Sequence, residues 1–425
     1  MLKTLKEAWK LEDIRKRIIF TFLMIIVFRL GNVVPVPFID KGKLAQILAG
    51  HQENGIISLM NLLSGGSLGQ MSVFALSIYP YITASIIVQL LTIAIPRLEE
   101  LSKEGEEGKK KIARYTKIGA IILSFIQGWA LVQGLFREAI TENTTSVGFI
   151  ILLSIVAGSM FLIWLGEAIT EFGIGNGISM LILLGIISNV PTQVGIIWRD
   201  LLLGHLNWFS VVILLAIVVI TLIIVIMINQ GERKIPVQYA KRVVGRKMYG
   251  GQSTHIPVKV NMSGVMPVIF ASAITSLPNT LALFFGKNLP AWYRNIFTVD
   301  SLSGLIVHTL VNALLIILFA YFYTAVQFNT VEYAKNLQQY GGFIPGIRPG
   351  KPTGIYLSRI SNRITFIGAL ALAFVWAVPN LVNYALGIAI VFGGTSVIII
   401  VGVILDTIQQ MESMMTMRHY KGFLK

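Results

Sequence analysis

Ten runs of apolar residues, each of membrane-spanning length, follow one another along the chain and are separated by polar segments. They occupy residues 18–37, 71–95, 118–136, 147–166, 177–198, 208–228, 262–286, 302–326, 364–382 and 387–405. A helix needs about 20 residues to cross the hydrocarbon core, and it satisfies its own backbone polar groups while doing so. The pattern therefore predicts an all-α integral membrane protein with ten transmembrane helices. Tyrosine aside, only Arg29 and His308 bring an ionisable group into these spans.

The segments between the spans alternate in charge. Of 35 Lys and Arg, 28 lie in residues 1–17, 97–117, 229–261, 327–363 and the C-terminal tail, while residues 38–70, 137–146, 199–207, 287–301 and 383–386 hold 6. Residues 167–176 contribute none to the basic set. Basic residues are retained on the cytoplasmic side, so both termini are expected there. Residues 1–17 are too polar and basic for a cleavable signal, and the run that follows is a full span.

Ten spans divide into two sets of five, and an odd number per set makes the halves inverted relative to each other. Pro80–Ile87 in the second span and Pro267–Ile274 in the seventh both read P-x-x-x-A-S-x-I. Gly177–Ile182 in the fifth and Gly394–Ile399 in the tenth both read G-x-S-x-x-I. Small residues that let helices pack closely give such matches too. If the repeat is real, Ile82, Ile182, Ile269 and Ile399 converge near a pseudo-twofold axis and form a narrow, dewetting constriction. The expected organisation is an amphipathic tail at 1–17, a first half at 18–206, a second half at 207–408 and a tail at 409–425.

The outer segment after the first span contains a Gly-rich apolar stretch at residues 58–70, too short to cross and too apolar for water. It fits a half-helix buried in a cavity as a mobile stopper or a helix lying on the membrane surface. Residues 229–261 carry seven basic residues against Glu232 alone, a balance of +6. Residues 343–351 alternate Pro and Gly around Arg348, which stiffens an exposed tip. Both segments suit a polyanionic or acidic partner beyond what orientation requires.

Composition narrows the chemistry. The chain is 55% hydrophobic and 13% charged and has no cysteine, so disulfide and thiolate chemistry are excluded. Gly346–Lys351 has three residues rather than four before its Gly-Lys pair, and Pro352 stands where a phosphate loop needs Ser or Thr. Gly173–Gly177 lacks the strand-turn-helix setting of a dinucleotide site. The five histidines are scattered, so neither a metal nor another cofactor is expected. Ion-coupled carriers keep acids, lysines or histidines in their spans; Arg29 sits in the outer part of the first and is read as snorkelling, and His308 begins the eighth. A passive conduit driven by a partner fits better than an enzyme or an inverted-repeat secondary transporter of a small solute, which remains the alternative.

Six motifs, taken together, resemble the SecY family of bacterial protein-translocation channels. They are Arg233–Arg242, Gln252–Asn261, Pro345–Gly350, Gly173–Ser179, Phe392–Ser396 and Tyr81–Ile86, in the right order and on the expected sides. The resemblance covers essentially the whole chain. It implies an hourglass pore sealed by a ring at Ile78, Ile82, Ile178, Ile182, Ile269 and Ile399, with Met266 nearby. It implies a short plug helix that includes Leu59, Leu62, Leu63, Gly65, Gly66 and Leu68. A lateral gate between spans 2 and 3 and spans 7 and 8 would expose signal sequences to Thr83, Gln89, Gln127, Thr275 and Leu277. Arg233, Lys234, Lys241, Arg242, Arg246, Lys247 and Arg348 would dock the ATPase SecA or, through its RNA and proteins, the ribosome. The small membrane subunits SecE and SecG, unfolded polypeptide substrates, the lipid bilayer and residence in a bacterial inner membrane are implied likewise.

Overall fold

Each of the ten apolar runs contributes a helix to the computed structural model, which describes residues 8–50, 64–141, 144–239, 242–244, 247–249, 253–285, 302–386 and 393–422. They are α1 (Glu12–Val33), α3 (Tyr79–Ala94), α5 (Glu106–Ala130), α6 (Thr145–Phe172), α7 (Gly177–Leu202), α8 (Trp208–Gln230), α9 (Met266–Phe285), α10 (Leu302–Gln327), α12 (Lys351–Leu386) and α13 (Gly394–Gly422). Three shorter helices lie between them, α2 (Lys41–Gly50), α4 (Pro96–Lys103) and α11 (Thr330–Gln339). Seven described helices are long and apolar enough to cross a membrane, and eight are if α3 and α4 count as one span bent by 101°. Pro96 makes that bend, because its ring disfavours helical conformation in the residue before it.

The second run differs from its hydropathy reading. α3 begins only at Tyr79, and residues 64–78 are a series of turns in which Met71 and Ser77 adopt left-handed φ of 46° and 52°. Their backbone is satisfied by the end of the first span, through Val36 N–H to Met71 O and Val73 N–H to Val34 O, each 3.0 Å. Met71, Phe74, Ala75, Leu76 and Ile78 are apolar because protein surrounds them. Hydropathy reports burial, and here burial does not require a helix.

Inter-span segments from alternate positions along the chain gather in separate clusters. Ala8, Ile14, Ile174 and Met411 pack together, joining the N-terminal tail, the 167–176 connection and α13. Val36, Leu44, Leu68, Phe136, Ala139 and Ile140 form a separate cluster from the alternate set.

The basic segment after α8 is a β-hairpin, an element that the all-α reading omitted. Strands β1 (Glu232–Tyr239) and β4 (Ser253–Lys259) pair antiparallel, with Ile235 opposite Ile256 and Val237 opposite Thr254. Strands β2 (Arg242–Val244) and β3 (Lys247–Tyr249) form a second, two-stranded antiparallel sheet, and β5 (Gly342–Phe343) pairs with the end of β1. Ile235, Val237 and Val258 pack on Phe328, Leu337, Ile344 and Leu357, so the two long segments of this end share one core. Pro236 is tolerated because β5 covers β1 only at Gln238 and Tyr239.

The shared sequence patterns have a steric basis. A Cβ at Gly177, which opens α7, would strike the carbonyl of Gly166 in α6, and one at Gly394, which opens α13, would strike that of Val375 in α12. A second pair recurs deeper in the bundle. Gly158 in α6 abuts the Val73 carbonyl and Gly368 in α12 abuts that of Val260, each seven residues before the proline of the P-x-x-x-A-S-x-I motif. These matched approaches support a genuine repeat.

Candidate functional site

Ile82 of α3, Ile182 of α7, Ile269 of α9 and Ile399 of α13 converge around one small cavity, with Tyr79, Ser272, Ala273 and Thr395 completing its wall. Local sequence places each of them. Pro80 occupies the first turn of α3, where its missing N–H costs nothing. The Asn176 side chain caps α7 by accepting from Ser179 N–H at 3.2 Å. The cavity holds about 20 Å³ of free space behind an apolar surface. That is room for about one water, and the wall turns only apolar surface toward it, which holds a water poorly and keeps the site dry.

Above it opens a chamber of about 350 Å³ whose floor includes Ile182, Ile269 and Ile399. Its walls are polar, with Asn176, Ser179, Asn229, Asn261, Ser263, Gln327, Gln409 and the opposed charges of Lys259 and Asp406. Asn261 donates to Asn229 Oδ1 at 2.8 Å and to Gly264 O at 3.0 Å, which fixes the turn into α9. Met266 lines this chamber rather than the small cavity. Ile78 and Ile178 share the apolar cluster of the other four isoleucines without lining the cavity; Ile178 packs on Gly166.

The polypeptide near the proposed plug is wedged in from the opposite side. Gly65 and Gly66 take φ of +70° and +86°, and a side chain at Gly65 would crowd Ser188 and Gly185. Ser67 donates to Ser64 O at 2.7 Å, Ser64 Oγ accepts from Leu68 N–H, and Leu68 is fully buried. Residues 64–70 are turns rather than helix. Leu59, Leu62 and Leu63 lie outside the described residues.

A seam with its own polar contacts separates α3 and α5 from α9 and α10. Tyr323 Oη of α10 donates to Gln89 Oε1 of α3 at 2.6 Å, and Tyr79 Oη reaches Ala273 O at 3.4 Å. On one side of the seam, Thr275 Oγ1 of α9 lies 3.2 Å from Asn312 Oδ1 of α10, and the Asn312 amide donates to His308 O at 3.0 Å. Thr83 is buried and bonds within its own helix to Tyr79 O, whereas both amide atoms of buried Gln127 lack a partner among the described residues. Leu277 lies in α9, and its side chain is outside the described residues. Tyr323, Asn312 and Tyr79 escaped the sequence reading because it searched the spans for charge, and these groups are neutral. His308 is half-buried, with its ring 3.2 Å from the Asn312 amide.

Arg233 and Lys234 are exposed on β1, and Arg348 is exposed at the Pro-Gly tip, where its carbonyl accepts from Thr353 Oγ1 at 2.9 Å. Arg242 and Lys247 lie on β2 and β3; Lys241 and Arg246 are outside the described residues.

A SecY family model matches residues 72–408. The chain belongs to the SecY family. It is 44% identical to the protein translocase subunit SecY of Thermotoga maritima, covering 100% of this chain and 98% of that one. With the Escherichia coli subunit it shares 41% identity over 98% of this chain and 95% of that one. Its fold is similar to that of a solved protein-conducting channel, with TM-score 0.67, 19% identity and coverage of 94% and 92%. It is also similar to Sec61 in a canine ribosome-channel complex, with TM-score 0.63, 18% identity and the same coverage. SecY-family membership accounts for the apolar helical bundle and for the motif order along it.

Proposed function

We propose that this chain is the pore-forming subunit of a protein-conducting channel, passing unfolded secretory polypeptides across a bacterial inner membrane and releasing signal or transmembrane helices sideways into it. The observation that carries this reading is the meeting of Ile82, Ile182, Ile269 and Ile399 around a dry constriction beneath a polar chamber. Aliphatic side chains in contact offer no binding preference, and they seal by excluding water while deforming around a chain in transit. Ile78 and Ile178 back this ring, and the turn at Gly65, Gly66 and Leu68 belongs to a plug that seats below it.

The two inverted halves part along the seam of α3 and α5 against α9 and α10, which serves as the lateral gate. A signal helix favours the open state, because its apolar surface reaches lipid only when the gate parts. Both termini, the β-hairpin and the Arg348 tip face the cytoplasm, where basic side chains receive SecA or ribosomal RNA. SecE and SecG complete the assembly. The ten apolar runs hold no acid to couple an ion gradient, and Asp406, just beyond the tenth, shares the chamber wall with the opposite charge of Lys259; the driving force comes from the docked partner.

The absence of native cysteine makes the test clean. Single cysteines at Ile82, Thr83, Ile269 and Leu277 are expected to crosslink to a stalled secretory precursor that carries its own cysteine, in membranes supplied with SecA. Adducts at other positions and none at these four would remove the pore and gate assignment. Arg348→Glu is expected to slow SecA-driven transport several-fold with thermal stability unchanged, since an exposed tip of this kind is separate from the core.

A further inference from the structure

We propose that α1 carries a binding site for an anionic phospholipid of the outer leaflet, with Arg29 holding the phosphate. A recess of about 500 Å³ runs between α1 and the turn at residues 64–70. Its wall on α1 is formed by Phe22, Ile25, Ile26, Leu30 and Val33, and Arg29, Asn32, Gly65, Gly66 and Gln70 complete it. Phe22, Ile26, Arg29, Leu30 and Val33 recur at helical spacing and are exposed, so they form one outward stripe. In a membrane protein such a stripe faces acyl chains or another membrane helix.

Arg29 is what makes the recess selective. It is the one Lys or Arg within the ten apolar runs, and no carboxylate among the described residues lies within ion-pair distance of it. It sits one turn, about 6 Å, before the end of α1 at Val33, and its long side chain can extend from there to the headgroup level. A lone cation at this depth is stabilised by an anion. Gln70, exposed on the facing turn, adds polar capacity to the recess. An apolar recess bordered by a lone guanidinium and the exposed Gln70 amide matches one chemistry, acyl chains ending in an anionic phosphodiester. An accessory membrane helix with a carboxylate also complements Arg29 but leaves the concave recess unexplained. The basic surfaces at the other end of the bundle are separate from this site.

The test uses the chain in its membrane complex, with Leu30→Cys as the only cysteine on this chain and bearing a bimane label, in phosphatidylcholine vesicles. Spin-labelled phosphatidylglycerol is expected to quench the label several-fold more than spin-labelled phosphatidylcholine. That preference is expected to vanish in Arg29→Gln, persist in Arg29→Lys and resist excess inorganic phosphate. Precursor transport by each variant reports that it is folded. Equal quenching by the two lipids, or a preference that survives Arg29→Gln, would overturn the proposal. Weak quenching by both lipids would do so in favour of a protein helix in the recess, and loss of preference on adding phosphate in favour of a free-anion site.

Discussion

The constriction and the seam beside it lie within one apolar cluster, yet they are held by different forces. At the constriction, Ile82, Ile182, Ile269 and Ile399 bury aliphatic surface without direction. Across the seam, Tyr323 of α10 meets Gln89 of α3 at 2.6 Å and Tyr79 of α3 reaches Ala273 O of α9 at 3.4 Å, bonds that depend on position and angle. Non-directional burial changes gradually as surfaces part, whereas a buried hydrogen bond is made or lost. The constriction therefore suits a yielding seal, and the seam suits a gate with distinct closed and open states.

Ile269→Asn tests the contrast most severely. A carboxamide at the dry neck gives water a partner and lowers the dewetting barrier by about 1–3 kcal/mol, so resting ion conductance in planar bilayers should rise on the order of tenfold or more. Unchanged conductance would show that the seal lies elsewhere. Tyr323→Phe comes next. Loss of one buried hydrogen bond costs the closed state about 1 kcal/mol, which predicts a roughly fivefold gain in export of a precursor with a weakened signal. Gln89→Leu should act in the same direction, and the double variant should fall short of the sum if the two residues act as a pair. Full additivity would break the latch and leave only general loosening.

Thr275→Val should shift signal stringency by less than about twofold, because its bond to Asn312 joins α9 to α10 on one side of the seam and its hydroxyl also bonds helix carbonyls within α9. Ile82→Leu is expected to change least. A volume-conserving swap costs under about 1.5 kcal/mol in a core, so leak and signal stringency should stay near those of the parent chain. A large effect from this variant would mean that the neck depends on specific shape and would erase its difference from the seam.

The site was unevenly legible in the sequence. The two repeated motifs selected the four isoleucines that line the cavity, because a repeat places equivalent residues at equivalent depths. Gln89 was singled out, but its partner Tyr323 was not, since 234 residues separate them and no local pattern records their approach. The β-hairpin was missed although Ile235 and Val237, and Ile256 and Val258, alternate with polar neighbours as strands do. Pro236 and Pro257, together with the density of charge, masked that period. Residues 71–78 were read as helix because hydropathy responds to burial alone.

The sequence by itself determined the ten apolar runs, the segregation of Lys and Arg between them and the family motifs. These are local or compositional properties, written in the order of residues. Only the tertiary structure decided that the second run starts with turns, that the basic segment after α8 folds into a sheet, that Ile78 and Ile178 join the apolar cluster without lining the small cavity, and that Tyr323 reaches Gln89. Each of these depends on which surfaces meet, and contact between distant segments is settled by close packing and hydrogen-bond satisfaction across the whole bundle.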